Sequence, residues 1–250
     1  MRNPAFATGH IYHVYNRGVE KRKVFLNERD YLRFVAGLYI FNDTTPALNA
    51  GRSLIESSIE VRLQSEKKKR LVEIIAFCLM PNHYHLLLRQ RVDGGITEFM
   101  RKLGTGYTNY FNLKNDRVGP LFQGKFKAVL LEDDAHFAHL PHYIHCNPIE
   151  ILMPMLDAQH REVSVAAILR EVGNYRWSSL RDYIGIENFP TVTDRRFLQE
   201  CIGSPQEFRR GTRDWIASWR TGKGRRRAAS PLLYIEEKIL ETPSIEVRLR

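Results

Sequence analysis

Two histidines stand two residues apart in the stretch Ala76-Phe77-Cys78-Leu79-Met80-Pro81-Asn82-His83-Tyr84-His85-Leu86-Leu87-Leu88. In an extended chain, residues two apart point to the same face, so His83 and His85 project together and Tyr84 away from them. Two imidazoles on one face suit a metal ion, which then needs a third oxygen or nitrogen donor and open positions for substrate. Asn147 offers an amide oxygen, and Tyr143, four residues before it, shares its helical face. A phenol is a poor nucleophile at its ordinary pKa of about 10. Beside a divalent ion that polarises a phosphodiester, it would attack phosphorus and conserve the bond energy in a covalent intermediate. The plainer alternative is a pair of hydrogen-bonded core histidines.

The elements that must position these residues are legible. Two apolar runs flank Pro81-Asn82, which reads as strands over 72–80 and 83–90 joined by a tight turn. An earlier strand is expected from His10 to Gly18, where aromatic and β-branched residues alternate. A basic loop, Lys21-Arg22-Lys23, follows. Asn27 with Asp30 three residues on signals a helix start, and Tyr31, Phe34, Val35, Leu38 and Tyr39 give that helix an apolar face. A second helix is expected over 96–111, with Phe99, Leu103, Tyr107 and Tyr110 inward and Lys102 among the outward positions, where it could track a phosphate backbone. The tyrosine helix starts at Asp133-Asp134 and should kink or restart at Pro141. A helix follows from Val163, and 194–219 reads as helical.

Three segments stand apart. Residues 42–70 read as an insertion, with a short helix near 53–64 and a basic end. Lys125 and Lys127 alternate with Phe126, which suits a single nucleic-acid strand as well as it suits an edge strand guarded by lysines. Residues 222–227 form a basic linker, followed by a tail that is either a short helix or disordered. His136, His139, His142 and His145 recur every third residue, but at 3.6 residues per turn the row drifts around the helix, so four cannot share one zinc ion. His145 remains a candidate for orienting the site.

The net charge of +10 points to a polyanionic partner, with solubility as the plainer reading. Cys78, Cys146 and Cys201 are too scattered for a zinc knuckle or a disulfide set, which fits a reducing cytoplasm. The chain opens on no apolar signal region and has no run of membrane-spanning length, so a cytoplasmic protein with no membrane partner is expected.

His83-Tyr84-His85 resembles the histidine–hydrophobic–histidine signature of the HUH single-strand DNA endonucleases. Tyr143-Ile144-His145-Cys146-Asn147-Pro148 resembles the tyrosine helix of REP-associated tyrosine transposases, relatives of the insertion-sequence transposases that move as single strands. The resemblance extends to Tyr15-Asn16-Arg17-Gly18, Met80-Pro81-Asn82-His83, the stretch from Gly119 to Lys127, and Tyr175-Arg176-Trp177-Ser178-Ser179. It implies an α+β, ferredoxin-like (RRM-like) antiparallel sheet with helices packed on it, plus a C-terminal helical extension. By it, residues 1–190 form the catalytic domain with the insertion at 42–70, 191–220 the helical extension, and 221–250 the linker and tail. It further implies Tyr143 as nucleophile and His83, His85 and Asn147 as ligands of Mg²⁺ or Mn²⁺. Arg17, Lys102, Lys125 and Lys127 are the residues expected to contact single-stranded or hairpin DNA, cleaved to a 5′-phosphotyrosine and a free 3′-hydroxyl. A monomer or homodimer is expected. Two alternatives stay open: a domesticated hairpin-binding protein without transposition activity, and a metal hydrolase that forms no covalent link.

Overall fold

The computed structural model describes residues 5–45, 69–131, 134–157 and 163–221. The expected short helix at 53–64, the basic linker 222–227 and the tail after it lie outside the described residues.

The first half runs β1 (Ile11–Arg17), α1 (Glu28–Ile40), β2 (Val72–Met80), β3 (His83–Gln90), α2 (Gly95–Lys114) and β4 (Lys127–Leu130). The sheet order is β2-β3-β1-β4 with every pair antiparallel, which is the ferredoxin-like arrangement expected from the sequence. The Asn27–Asp30 capping box forms as read: each side chain accepts from the other's backbone N–H, so two of the first turn's orphan donors are satisfied.

Both faces of the sheet are covered, and this explains why β2 is buried throughout rather than alternating between buried and exposed residues. One face (Tyr12, Val14, Phe77, Leu79, Tyr84, Leu86) packs against Phe34 and Leu38 of α1 and Phe99, Leu103 and Tyr107 of α2. On the other, Ile75, Ala76, Cys78, Met80 and Leu87 meet a second apolar cluster supplied by the C-terminal helices. A β-bulge between Ile74 and Ala76 interrupts the alternation, so the consecutive residues Ile75 and Ala76 both fall in the second cluster.

The second layer holds α3 (Asp134–Cys146), α4 (Ile149–Asp157), α5 (Val165–Asn174), the short α6 (Leu180–Tyr183), α7 (Arg196–Ile202) and α8 (Pro205–Arg220). Of the two outcomes expected at Pro141, a kink or a restart, the restart is not seen: α3 runs through it as one element. Another expectation needs correcting. The single helix expected over 194–219 is two, because Gly203 takes φ 102 and Ser204 opens α8 with a capping box to Glu207 and proline at the first turn. No helix among the described residues is long and apolar enough to cross a membrane.

Two tertiary clamps frame the site. Residues 18–25 fold over the Pro81-Asn82 turn: the Gly18 and Val24 N–H groups donate to the Asn82 and Pro81 carbonyls at 2.8 Å each. Gly18 has to be glycine here, since a Cβ would lie 2.3 Å from the Arg22 carbonyl oxygen. The Asn42 side chain pairs with both backbone groups of Val72, at 2.8 and 3.0 Å, and Thr44 N–H donates to the Lys69 carbonyl at 2.9 Å. The described residues on either side of 46–68 are thus held together at one place.

Candidate metal and tyrosine centre

The register of β1 against β3 sets the site. Arg17 stands opposite His83 and Tyr15 opposite His85, with His13 one step further along. Alternation puts His13, Tyr15, Arg17, His83 and His85 on the face covered by the C-terminal helices, and sends Tyr84 to the other core, as expected. Helix α3 crosses this face and brings Tyr143 with it. The Tyr143 ring centroid lies 5.8 Å from that of His85 and 6.1 Å from that of His13, near-perpendicular to both.

Each histidine has one nitrogen held. His83 Nδ1 lies 2.7 Å from Asn82 Oδ1, and His85 Nδ1 lies 2.8 Å from His13 Nε2. His85 Nε2 is buried without a hydrogen-bond partner. A satisfied pair of core histidines would leave no such atom, so this orphan nitrogen favours the ligand-binding reading. Burial, then the nearby Arg17 charge, holds His83 down at about 4, against the pull of the Asn147 side chain. Burial, then His13, His83 and Arg17, holds His85 well below the usual range. Both are therefore neutral at pH 7, the form that binds metals.

Asn147 closes the group. It follows the last residue of α3, and its Nδ2 donates back to the Tyr143 carbonyl at 3.1 Å. Its side chain acts on the His83 ring and the Tyr143 phenol together. Burial pushes the Tyr143 phenol far up from its ordinary value, with Asn147 the one neighbour favouring its charged form. The hydroxyl is shut away from solvent with no partner in full hydrogen-bond geometry. Among the described residues no group of three or more His, Cys, Asp or Glu is placed to hold a metal. Asn147, whose side chain reaches the His83 ring, is the neutral oxygen donor beside the two imidazoles. Two imidazoles and an amide oxygen fit Mn²⁺ more closely than Mg²⁺, which prefers oxygen ligands and retained waters.

The structure gathers some of the expected DNA-contacting residues and not others. Arg17 borders His83, and its Nε is buried without a partner. Lys127 pairs with Tyr15 across β1 and β4, its ammonium 6.0 Å from the Tyr15 ring centroid. Lys125 is exposed just before β4, an edge strand. Phe126, read as a stacking surface for bases, packs instead near-parallel to Phe6 on the far core, at 6.1 Å. Lys102 is not brought to the site. It lies on α2, behind the opposite face, and donates to the Asp43 and Thr45 carbonyls at 2.7 and 3.0 Å. His142 and His145 turn into the helical layer, bonded to Thr212 Oγ1 at 3.0 Å and Ser179 Oγ at 2.8 Å.

Sequence reasoning passed over His13 and Tyr15. The only signal was the alternation His13-x-Tyr15-x-Arg17, matching that of His83-x-His85, and it becomes meaningful only once the β1–β3 register is known.

The family model described as "Transposase IS200 like" matches residues 51–147. No curated protein matches the chain. A solved structure described as "Structure of the REP associates tyrosine transposase bound to a REP hairpin" is 15% identical, covering 78% of this chain and 94% of that one with a TM-score of 0.45. Over the stretch from residue 51 to residue 147, which carries both histidines, the tyrosine and the asparagine, the chain matches the IS200-like transposases, in keeping with the resemblance of its motifs.

Proposed function

We propose that this chain is a divalent-metal-dependent enzyme that cleaves and rejoins single-stranded DNA near hairpins, with Tyr143 as nucleophile. The observation that carries the reading is the convergence of Tyr143 and Asn147 from α3 upon His83 and His85 from β3, where one buried imidazole nitrogen lacks a partner. The family match over the stretch that holds all four supports it.

In this reading His83, His85 and Asn147 would hold a Mn²⁺ or Mg²⁺ ion, which would supply polarisation of the scissile phosphodiester and offset the charge that builds up as the bond breaks. The Tyr143 oxygen attacks phosphorus and forms an O–P bond as the bond from phosphorus to the 3′-oxygen breaks. The phenolic proton leaves the Tyr143 oxygen as the O–P bond forms and is carried to the departing 3′-oxygen, so the step is balanced in protons. The products are a 5′-phosphotyrosine and a 3′-hydroxyl, and the reverse step rejoins strands without an external energy source. Helix α3 fixes the attacking oxygen, so much of the barrier reduction comes from positioning. Arg17, Lys125 and Lys127 take the backbone phosphates along the β1–β4 side, and affinity falls steeply with salt as counterions are released.

The test is cleavage of end-labelled hairpin and single-stranded oligonucleotides with Mn²⁺, with Mg²⁺ and with excess chelator. Cleavage in metal, none in chelator, and none from His83→Ala or His85→Ala is expected. Undiminished cleavage in chelator would overturn the metal assignment. Tight hairpin binding without cleavage in any metal would favour the domesticated binding protein.

A further inference from the structure

We propose that His13 is a positioning residue for this centre: it accepts the Nδ1 proton of His85 and thereby keeps the lone pair of His85 Nε2 turned outward to a metal ion. The proposal rests on the reading of His83, His85 and Asn147 as ligands.

His13 sits on β1, two residues before Tyr15, the register partner of His85. Its Nε2 lies 2.8 Å from His85 Nδ1, and the two rings are within 17° of parallel with centroids 5.0 Å apart. His13 is 1% exposed and His85 fully buried, so water offers neither ring a substitute partner. A contact of this kind between two neutral imidazoles holds one proton, which leaves two arrangements. If His13 donates, His85 carries its own proton on Nε2. That atom would then be a buried N–H with no acceptor, and no lone pair would remain for an ion. If His85 donates, Nε2 is bare, and the one ring atom without a partner is the atom able to bind a ligand.

His83 supports the second arrangement independently. Its Nδ1 meets Asn82 Oδ1 at 2.7 Å, and the Asn82 amide is oriented by its other end, where Nδ2 donates to the Lys21 carbonyl at 3.2 Å. An amide oxygen only accepts, so His83 also carries its proton on Nδ1 and presents a bare Nε2. Two different neighbours thus fix the same tautomer in both histidines. The partner that orients a metal-bound histidine is often a carboxylate or a carbonyl. A neutral imidazole in that role adds no negative charge to a site meant to receive phosphate.

The experiment compares wild type, His13→Leu, His13→Gln and His83→Ala. Mn²⁺ uptake is read from the loss of the free-ion EPR signal. The His85 tautomer is read by long-range ¹H–¹⁵N NMR on the metal-free wild type, and folding by thermal melts. The expected results are a proton on His85 Nδ1 and a ten- to hundredfold loss of Mn²⁺ affinity in His13→Leu. The Gln variant, whose amide oxygen can accept the same proton, should recover most of that loss. A proton on His85 Nε2 in the wild type overturns the proposal, as does a folded Leu variant with wild-type affinity or a folded Gln variant no better than Leu. Uptake that depends on His83 but not on His13 removes this proposal alone. A wild type that takes up no Mn²⁺ removes the metal reading and this proposal with it. If His13→Leu fails to fold, the tautomer and the Gln variant still decide.

Discussion

Lys102 and Lys127 looked alike in the sequence, as cations in positions suited to phosphate, and the fold gives them different work. The Lys102 side chain is 9% exposed and ties α2 to the backbone just after α1 through two carbonyls, with Glu98 at 3.6 Å. Lys127 is exposed on the site face of β4. Lys102→Met should therefore cost about 1 kcal/mol of stability by removing two hydrogen bonds, and leave DNA affinity unchanged. Lys127→Gln should weaken DNA binding and lower the slope of log affinity against log salt by about one. Melts and salt titrations of both variants check this, and the opposite pattern would put DNA on the α2 side. The case also marks the limit of reading residues singly. His83, His85, Tyr143 and Asn147 were legible because each pair is local, at two or four residues' spacing. Lys102 could not be placed, because its partners lie 59 and 57 residues away. His13, which lies 72 residues from His85, was missed for the same reason.

At the scale of elements, the strands and helices of the first half were readable from caps, alternation and turns, their ferredoxin-like arrangement came from the resemblance, and the helices of the second layer were read without the packing that seats them. Helix α3 is seated by long-range packing: the His142 ring against Phe208, His145 on Ser179, and Ile144 within the second apolar cluster. Gly211 of α8 faces the His142 ring of α3. A Cβ there would lie 2.9 Å from His142 Nε2, in a buried ring anchored on its other side by Thr212. Gly106 is its counterpart in the other layer, where a Cβ would lie 2.5 Å from Phe41. Alanine favours a helix by about 1 kcal/mol over glycine, yet overpacking costs about 1–3 kcal/mol, so both Gly→Ala variants should be destabilised overall. They should differ in function. At a temperature where both remain folded, Gly211→Ala should slow cleavage, because it displaces the helix that carries Tyr143. Gly106→Ala should cleave at the wild-type rate. Equal rates in the two variants would mean that α8 does not position the tyrosine.

For the molecule as a whole, one sheet carries two cores, and the site lies at the seam between β1, β3 and α3. The charge and the motif order led to the expectation of such a site, and the apolar runs around the histidines to their burial; they could not show which helices would cover them. Nor could they show a second tyrosine near it. Tyr15 shares the face, its ring centroid 5.9 Å from that of His85. Other tyrosines are committed elsewhere: the hydroxyls of Tyr107, Tyr110, Tyr175 and Tyr183 bond to Val24, Asp30, Leu79 and Ile75 at 2.6 to 2.9 Å.

The choice between Tyr143 and Tyr15 is therefore the sharpest test of the account. Labelled hairpin DNA is incubated with Mn²⁺ and wild type, Tyr143→Phe or Tyr15→Phe, the covalent product is digested with protease, and the modified peptide is mapped by mass spectrometry. The account predicts a phosphotyrosine at residue 143 in the wild type and in Tyr15→Phe. It predicts none in Tyr143→Phe, which should still bind the hairpin because the ring and its packing remain. An adduct on Tyr15, or an undiminished adduct in Tyr143→Phe, would contradict it.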